Sequence, residues 1–314
     1  MRFINLKTKV EETCISYPTV LCVGNFDGVH LGHRQLVASV LDKYQKLKNK
    51  YPGLVCGAWF FDSNIYKSTV EIYSIDEKLD VFASLGLDYA IIANFDEMKS
   101  LSPESFVNDV LVEGCMCVHA VCGENFRFGS KALGHSADLV DLMHGNATVV
   151  PLLSVDNEED SEEKVIISST YIRSLLLDGN IVKANRLLDA RYSICETVIH
   201  GKALGRKLGI PTINQNVNSK KLILKNGIYA SLCYIDGQEY MGVTNVGVRP
   251  TVDDAGSQNV ETHIIDYDGD CYDKVVKVEF VARIRDEMKF DNIDSLKIQI
   301  FKDIEDTKQI FYHN

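Results

Sequence analysis

The 314-residue chain has no excess of basic charge: 33 lysines and arginines stand against 44 aspartates and glutamates, for a net charge of −11. A general binder of nucleic acid or of an anionic membrane surface needs a basic face, so neither is expected as a partner. No apolar run approaches the roughly 20 residues needed to cross a bilayer. The first dozen residues mix both charge signs where a secretion signal would carry an apolar core, and a cytoplasmic protein is expected. The nine cysteines include no C-x-x-C pair. Cys22, Cys56, Cys122 and Cys233 lie inside apolar runs and read as reduced core thiols. Cys115, Cys117 and Cys122 could in principle bind a metal, but their spacing is not that of a zinc finger. Two loops are also missing, the Walker A phosphate loop and G-x-G-x-x-G. Their absence sets aside ordinary P-loop and dinucleotide-binding readings.

What is present divides the chain in two. The first half alternates short apolar strands with helical periodicity. Thr19–Gly24 reads as a strand, with Leu36, Val37, Val40, Leu41, Tyr44 and Leu47 at helical spacing after it. Gly53–Phe61 is a strand, Glu77–Leu85 a helix and Asp88–Ala93 a strand. A helix opens at Ser102-Pro103-Glu104, and Val118–Cys122 and Thr148–Leu152 are further strands. This alternation predicts a parallel sheet with helices on both faces. Asp156–Glu163 carries six carboxylates in eight residues and reads as a solvated loop. Two short helices follow, Ser168–Leu177 and Ile181–Leu188. From Tyr192 the pattern changes to short strands between Gly, Asn and Asp turns: Ser193–His200, Gly227–Tyr234, Glu239–Asn245, Thr262–Asp266 and Val275–Phe280. That predicts an antiparallel barrel, closed by a helix carrying Leu296, Ile300 and Ile304. The expected domains are 1–186 and 187–314.

Gly24-Asn25-Phe26-Asp27-Gly28-Val29-His30-Leu31-Gly32-His33 follows a strand and opens a helix. Free N–H groups and the positive end of the helix dipole make such a turn an anion site. Two histidines at i and i+3 share one face and could donate to phosphate oxygens as charge grows on a five-coordinate phosphorus. Gly32 would let a base or ribose approach closely. A metal pair is the rival reading, but no third ligand of suitable spacing stands nearby. Ser169, Thr170 and Arg173, in a first helical turn, read as either a plain N-cap or a phosphate cradle. Thr212 and Asn214, close after Pro211, offer two hard oxygen ligands or else a simple turn.

This motif resembles the nucleotide-transfer signature of bacterial bifunctional riboflavin kinase/FMN adenylyltransferases. Gly123-Glu124-Asn125-Phe126-Arg127-Phe128-Gly129 is similar to the family's flavin-side loop, and Ser168-Ser169-Thr170-Tyr171-Ile172-Arg173 to its second phosphate motif. The second half adds Gly205-Arg206-Lys207-Leu208-Gly209-Ile210-Pro211-Thr212-Ile213-Asn214, then Thr244–Thr251, Glu261-Thr262-His263-Ile264 and Arg285-Asp286-Glu287. The resemblance runs in order from about residue 19 to 303. It implies a Rossmann-like nucleotidyltransferase domain followed by a flavokinase β-barrel, with riboflavin, FMN and ATP as small-molecule substrates and FAD as product. It further implies His30 and His33 as catalytic groups. Gly24, Asn25, Phe26, Asp27, Gly28, Gly32, Ser169, Thr170 and Arg173 would then lie around ATP. Asn125, Phe126, Arg127 and Arg285 would lie around flavin. In the kinase it implies Glu261 as base, Gly205, Lys207, Gly209, Pro211 and Asn245 around ATP, and Thr212 and Asn214 on Mg²⁺. A monomer or weak homo-oligomer is expected. One departure stands out. The family's Phe-Asp-Pro-His-Pro turn is replaced by Phe61-Asp62-Ser63-Asn64-Ile65, so two prolines and a phosphate-contacting histidine are missing.

Overall fold

In the computed structural model, residues 1–62, 70–156, 164–201, 205, 209–248 and 258–312 are described. The chain forms two compact units, Met1–Ser169 and Thr170–Asn314.

The first unit is built on a seven-stranded sheet of order β2-β1-β5-β4-β3-β6-β9. Its strands are β1 (Arg2–Asn5), β2 (Val10–Glu12), β3 (Thr19–Val23), β4 (Val55–Phe61), β5 (Tyr89–Ala93), β6 (Cys117–Gly123) and β9 (Ala147–Val150). The pairs β3–β4, β4–β5, β3–β6 and β6–β9 are parallel. All five residues of β3 and of β5 are buried, as strands covered on both faces must be. Helix α1 (Leu31–Leu47) returns the chain from β3 to β4 and packs on β3, β4 and β6. Helix α2 (Ile75–Ser84) precedes β5 and starts at a full capping box, with Ser74 Oγ accepting from Glu77 N and Ser74 N donating to the Glu77 carboxylate. The predicted sheet was parallel throughout. The structure corrects that at one edge, where β1 and β2 form an antiparallel hairpin against β5. With four and three residues carrying charge at their ends, these strands give no apolar run to read.

Between β6 and β9 the chain makes a ribbon of β7 (Arg127–Phe128) and β8 (Gly134–His135), then helix α3 (Ser136–Leu142). The helix predicted from Ser102 begins as one turn at Pro103–Ser105 and continues in the wider π form over Phe106–Gly114. Strands β10 (Ser154–Asp156) and β11 (Lys164–Ile166) pair antiparallel. Of the acidic run, 157–163 lies outside the described residues.

The second unit begins with α4, which runs on from Ser169 to Asp178, and α5 (Ile181–Leu188). A closed six-stranded barrel follows, of order β12-β13-β16-β15-β14-β17. Its strands are β12 (Ser193–Ile199), β13 (Ile213–Asn216), β14 (Gly227–Ile235), β15 (Gln238–Val248), β16 (Gln258–Ile264) and β17 (Val275–Arg285), all antiparallel to their neighbours. Helix α6 (Ile293–Tyr312) closes the chain. Two expectations shift. β13 is not among the expected strands: its first residues fall in the segment after Pro211, where the sequence offers either a pair of oxygen ligands or a turn. The strand expected over Thr262–Asp266 runs instead from Gln258 to Ile264, and Asp266 turns out of the sheet at φ 57°.

Candidate active sites

The strand order of the first unit reverses at β3. The chain moves from β3 to β4 and β5 on one side, then returns to β6 and β9 on the other. In an open α/β sheet the crevice at the carboxyl ends of the strands flanking such a reversal is where ligands bind. The signature turn leaves the end of β3, and the Gly123–Gly129 loop leaves the end of adjacent β6.

The turn is built under strain. Phe26 (φ 51°) and Val29 (φ 38°) both take left-handed backbone beside Gly28 (φ 79°). Such conformations cost about 1–3 kcal/mol each and persist only where the surroundings fix them. Both side chains are fully buried, and the Phe26 ring packs on Phe60, Phe82 and His33. His30 takes extended backbone as the N-cap of α1, and His33 follows in the first turn. Their rings stack with centroids 3.7 Å apart and planes 21° from parallel. A Cβ on Gly32 would come within 3.3 Å of the His30 ring, so glycine there makes room for the stack.

Burial holds the His30 imidazole neutral, its pKa pushed down to about 4. His33 is pushed well below its ordinary value, by burial first and then by the neighbouring His30 and Lys78. Nδ1 of each ring is buried with no hydrogen-bond partner among the described residues. Neutral rings with open nitrogens at a helix N-terminus suit an incoming phosphate.

Asp27 braces the turn from within. Its buried carboxylate accepts from the N–H groups of Ile72 (2.9 Å) and Tyr73 (3.3 Å), and its carbonyl accepts from Ser169 Oγ (2.9 Å). Ser169 thereby joins the second motif to the first, and Thr170 and Arg173 follow it in the first turn of α4. Asn25, in the signature turn, is exposed.

On the β6 side, Phe126 N donates to Gly123 O (3.0 Å), and the Glu124 carboxylate accepts from Leu152 N (3.0 Å). Asn125 and Arg127 are exposed; Arg127 bonds His135 across the β7–β8 ribbon. The Phe126 ring stacks on Phe128, which packs on Phe106. Ser63, Asn64, Ile65 and Lys67 lie outside the described residues. The cysteines at 115, 117 and 122 are buried free thiols with raised pKa values, about 12 for Cys117 and Cys122.

In the barrel the site is a row across three strands. Asn214 on β13 pairs with Glu261 on β16, which pairs with Asn245 on β15, so all three face one way. Val260, Thr262 and Ile264 alternate with them and are buried inside the barrel. Thr212 Oγ1 donates to Glu261 Oε1 at 2.6 Å, and Asn259 Nδ2 donates to Asn214 Oδ1 at 3.3 Å. The Asn245 amide oxygen is buried without a hydrogen-bond partner among the described residues. Gly205 lies so near Ile210 that a Cβ would stand 2.4 Å from its carbonyl oxygen, and Gly209 adopts φ +76°. Lys207 lies outside the described residues, as do Arg249, Pro250 and Thr251.

Three features escaped the sequence. His263 Nδ1 donates to Pro211 O (2.8 Å) and anchors the start of the Thr212–Asn214 segment. Behind Glu261, Thr262, Thr244 and Ser231 form a buried hydroxyl chain with links of 2.9 and 2.7 Å. Arg285, expected beside flavin, places two parallel bonds of 2.9 and 2.6 Å on buried Asp303 of α6. Its guanidinium is committed to anchoring that helix.

The two halves thus carry separate arrangements of polar groups, and the likeness to known proteins makes the chain a two-site transferase. A family model described as FAD synthetase matches residues 13–171, and one described as riboflavin kinase matches 188–311. The bifunctional riboflavin kinase/FMN adenylyltransferase of Listeria monocytogenes is 32% identical over 300 residues, covering 93% of this chain and 92% of its own. That of Escherichia coli K12 is 32% identical over 313 residues, covering 98% and 96%. A solved structure titled a macrolide-efflux protein from Streptococcus pneumoniae superposes with a TM-score of 0.83 at 27% identity, over 97% of each chain. Among the described residues of the present chain, no helix is long and apolar enough to cross a membrane. The chain belongs to the bifunctional riboflavin kinase/FMN adenylyltransferase family: it is a transferase that makes FMN from riboflavin and FAD from FMN.

Proposed function

We propose that the barrel carries the first step and the N-terminal unit the second, with residues 1–186 and 187–314 as the two functional domains. The observation that supports two functional domains is that the His30–His33 turn and the Asn214–Glu261–Asn245 row are separate polar constellations, one on either side of residue 186. In the barrel, Glu261 takes the proton of the riboflavin 5′-hydroxyl as that oxygen attacks the ATP γ-phosphorus, giving FMN and ADP. The Thr212 hydroxyl fixes the carboxylate for this role. Asn245, Gly205, Lys207, Gly209 and Pro211 surround the nucleotide. The hydroxyl of Thr212 and the amide oxygen of Asn214 are hard oxygens that fit Mg²⁺, which would arrive with ATP and supply neutralising charge to its phosphates. Among the described residues no group of three His, Cys, Asp or Glu side chains competes as a metal site.

In the N-terminal unit the FMN phosphate attacks the ATP α-phosphorus directly and pyrophosphate leaves. His30 and His33 hydrogen-bond the phosphate oxygens as charge grows, with the first-turn N–H groups of α1, Ser169, Thr170 and Arg173 around them. Gly24, Asn25, Phe26, Asp27, Gly28 and Gly32 shape the turn that carries them. Asn125, Phe126 and Arg127 line the flavin side. Arg285 acts in the kinase by holding the Asp286–Glu287 segment. The protein works in the cytoplasm as a monomer or weak homo-oligomer.

The missing Pro-His-Pro turn favours a second reading, in which adenylyl transfer is the slower activity. Incubation with riboflavin and Mg-ATP, with FMN and FAD resolved by chromatography, tests both. Accumulation of FMN followed by FAD supports the two-step reading. FMN alone, with none of it converted, would leave the N-terminal unit without an adenylyl-transfer function.

A further inference from the structure

Beneath the signature turn lies an ion pair to which no role has yet been given. The side chain of Lys78 is fully buried in the first turn of α2, and its Nζ lies 3.1 Å from Glu71 Oε1, itself buried. Removing two charges from water costs several kcal/mol per ion, and their mutual attraction often no more than repays it. Such a pair is therefore a poor device for stability. Its placement suggests another use. Ile72 and Tyr73, which follow Glu71, are the residues clipped to the Asp27 carboxylate. The capping box at Ser74 then fixes the start of α2, and Lys78 ties that first turn back to Glu71. Its Nζ stands 5.7 Å from the centre of the Phe60 ring, and Phe60 meets Phe26, on which His33 packs.

We propose that Glu71 and Lys78 are positioning residues for adenylyl transfer: the pair ties the segment clipped to Asp27 to the start of α2 and so braces the signature turn, and it places a buried cation behind the Phe60 and Phe26 rings on which His33 packs. This rests on the reading of His30 and His33 as phosphate donors. The charged and titratable groups around His33 and the pair are His30 on the N-cap, Lys78 on α2, Glu71 before it, Asp27 in the turn and Asp62 after β4. Of these, His30 and Lys78 oppose protonation of His33. The carboxylates of Asp27 and Asp62 push Glu71 toward its neutral form, as burial does, whereas Lys78 pulls it toward its anion.

The test uses the full chain with imidazole-labelled histidine, the His33 signal being assigned by its loss in H33Q. Lys78→Met should move the His33 titration to higher pH and lower kcat for FAD formation by about 10- to 100-fold, with the KM for ATP little changed. FMN formation by the same samples should stay within about twofold, which shows an intact barrel. Lys78→Arg should keep the His33 titration and most of the rate. Because Lys78→Met leaves Glu71 buried without its cation, the double variant E71M/K78M provides a well-packed apolar replacement. It should show the same titration shift and the same loss. Wild-type FAD formation in a folded E71M/K78M protein, or an unmoved His33 titration in either variant, overturns the proposal. H33Q separates the two levels. If H33Q makes FAD at the wild-type rate, the reading of the histidines fails; if H33Q is inactive while E71M/K78M is not, only the role of the pair fails.

Discussion

The two halves reach the same class of chemistry from opposite parts of their architecture. In the N-terminal unit the groups proposed to act stand at the carboxyl ends of β3 and β6, where the sheet order reverses, and include two imidazoles, each with a buried Nδ1. In the barrel they stand on the strands themselves, in the outward row Asn214–Glu261–Asn245, and are amides and a carboxylate. An open parallel sheet offers a crevice ready-made, so its chemistry can ride on one turn and one helix end. A closed barrel has its interior filled by side chains, here down to a buried hydroxyl chain. The alternating outward positions are what remain for a site. The first kind of site depends on backbone strain and helix capping. The second depends on strand register, in which a slip of one residue would turn Glu261 inward.

The sharpest way to separate the halves is Glu261→Gln. The amide keeps the shape and accepts the Thr212 hydroxyl, but it cannot take a proton. FMN formation should fall by roughly 10²–10⁴, while FAD formation from supplied FMN stays near wild type. Equal loss of both activities in a two-substrate assay would mean that Glu261 holds the fold and not the reaction.

The converse variant is His33→Ala, which removes one donor and opens the stack with His30. FAD formation should drop by about 10²–10³, the usual cost of one transition-state donor, with riboflavin phosphorylation unchanged. Rebuilding Ser63-Asn64-Ile65 as Pro-His-Pro should act in the other direction and raise adenylyl transfer, read as kcat for FAD at saturating FMN and ATP. No gain in either kcat or KM would show that this chain has no use for the family's third histidine.

How much of this was legible in the residues differs between the halves for a physical reason. The strand–turn–helix unit around His30 and His33 is local in sequence, so spacing alone exposed the shared face of the two rings. The glycine at 32 was read as an opening for ligand, whereas the stacked His30 ring shows it also makes room for a neighbour. The Glu261 row joins residues up to 47 positions apart, through pairings Asn214–Glu261 and Asn245–Glu261 that no local pattern displays. Asn214 was marked locally, as one of two hard oxygens after Pro211, and the family resemblance singled out Glu261 and Asn245. Short elements defeated the reading most often. β13 was hidden behind Gly209 and Pro211, and β1 and β2 were too brief and too charged to signal a strand. The bonds of Arg285 to Asp303 were not legible either, because the closing helix was signalled only by Leu296, Ile300 and Ile304 and its polar partner lies 18 residues away.

Acid should distinguish the units by stability. His30 and His119 are pushed down to about 4 by burial, and His33 is pushed down as well; all three lie in the N-terminal unit. An unfolded histidine titrates near 6.5, so from there down to about 4 the unfolded chain binds more protons than the folded one. Stability is therefore lost as the pH falls through that window, by on the order of 2 kcal/mol for His30 between pH 6.5 and 5. Glu71, pushed up by burial, works the other way at lower pH and offsets part of the loss. Trp59 is the chain's single tryptophan and is buried in this unit, so its fluorescence follows that unit alone. Its urea midpoint should fall from pH 7 to pH 5, and a midpoint that holds steady would contradict the burial of neutral histidines.

The smallest effect expected is at Arg285, where the two halves of the kinase reading compete. A residue lying against riboflavin would, when shortened, raise the KM for riboflavin and leave the barrel as stable as before. A residue anchoring α6 would do the reverse. The structure favours the anchor, because both carboxylate oxygens of Asp303 are taken by the guanidinium and Asp303 also accepts from Gln299 Nε2 at 2.8 Å. Arg285→Lys keeps the charge but loses the planar fork, and with it one of the two parallel bonds. The variant should therefore unfold at a lower urea concentration by the equivalent of about 1–2 kcal/mol, with the barrel transition followed by far-ultraviolet circular dichroism. The KM for riboflavin should change less than about threefold, since the guanidinium is taken up by Asp303 and the Asp286 carbonyl. A tenfold rise in that KM with an unmoved transition would place the guanidinium on the flavin after all.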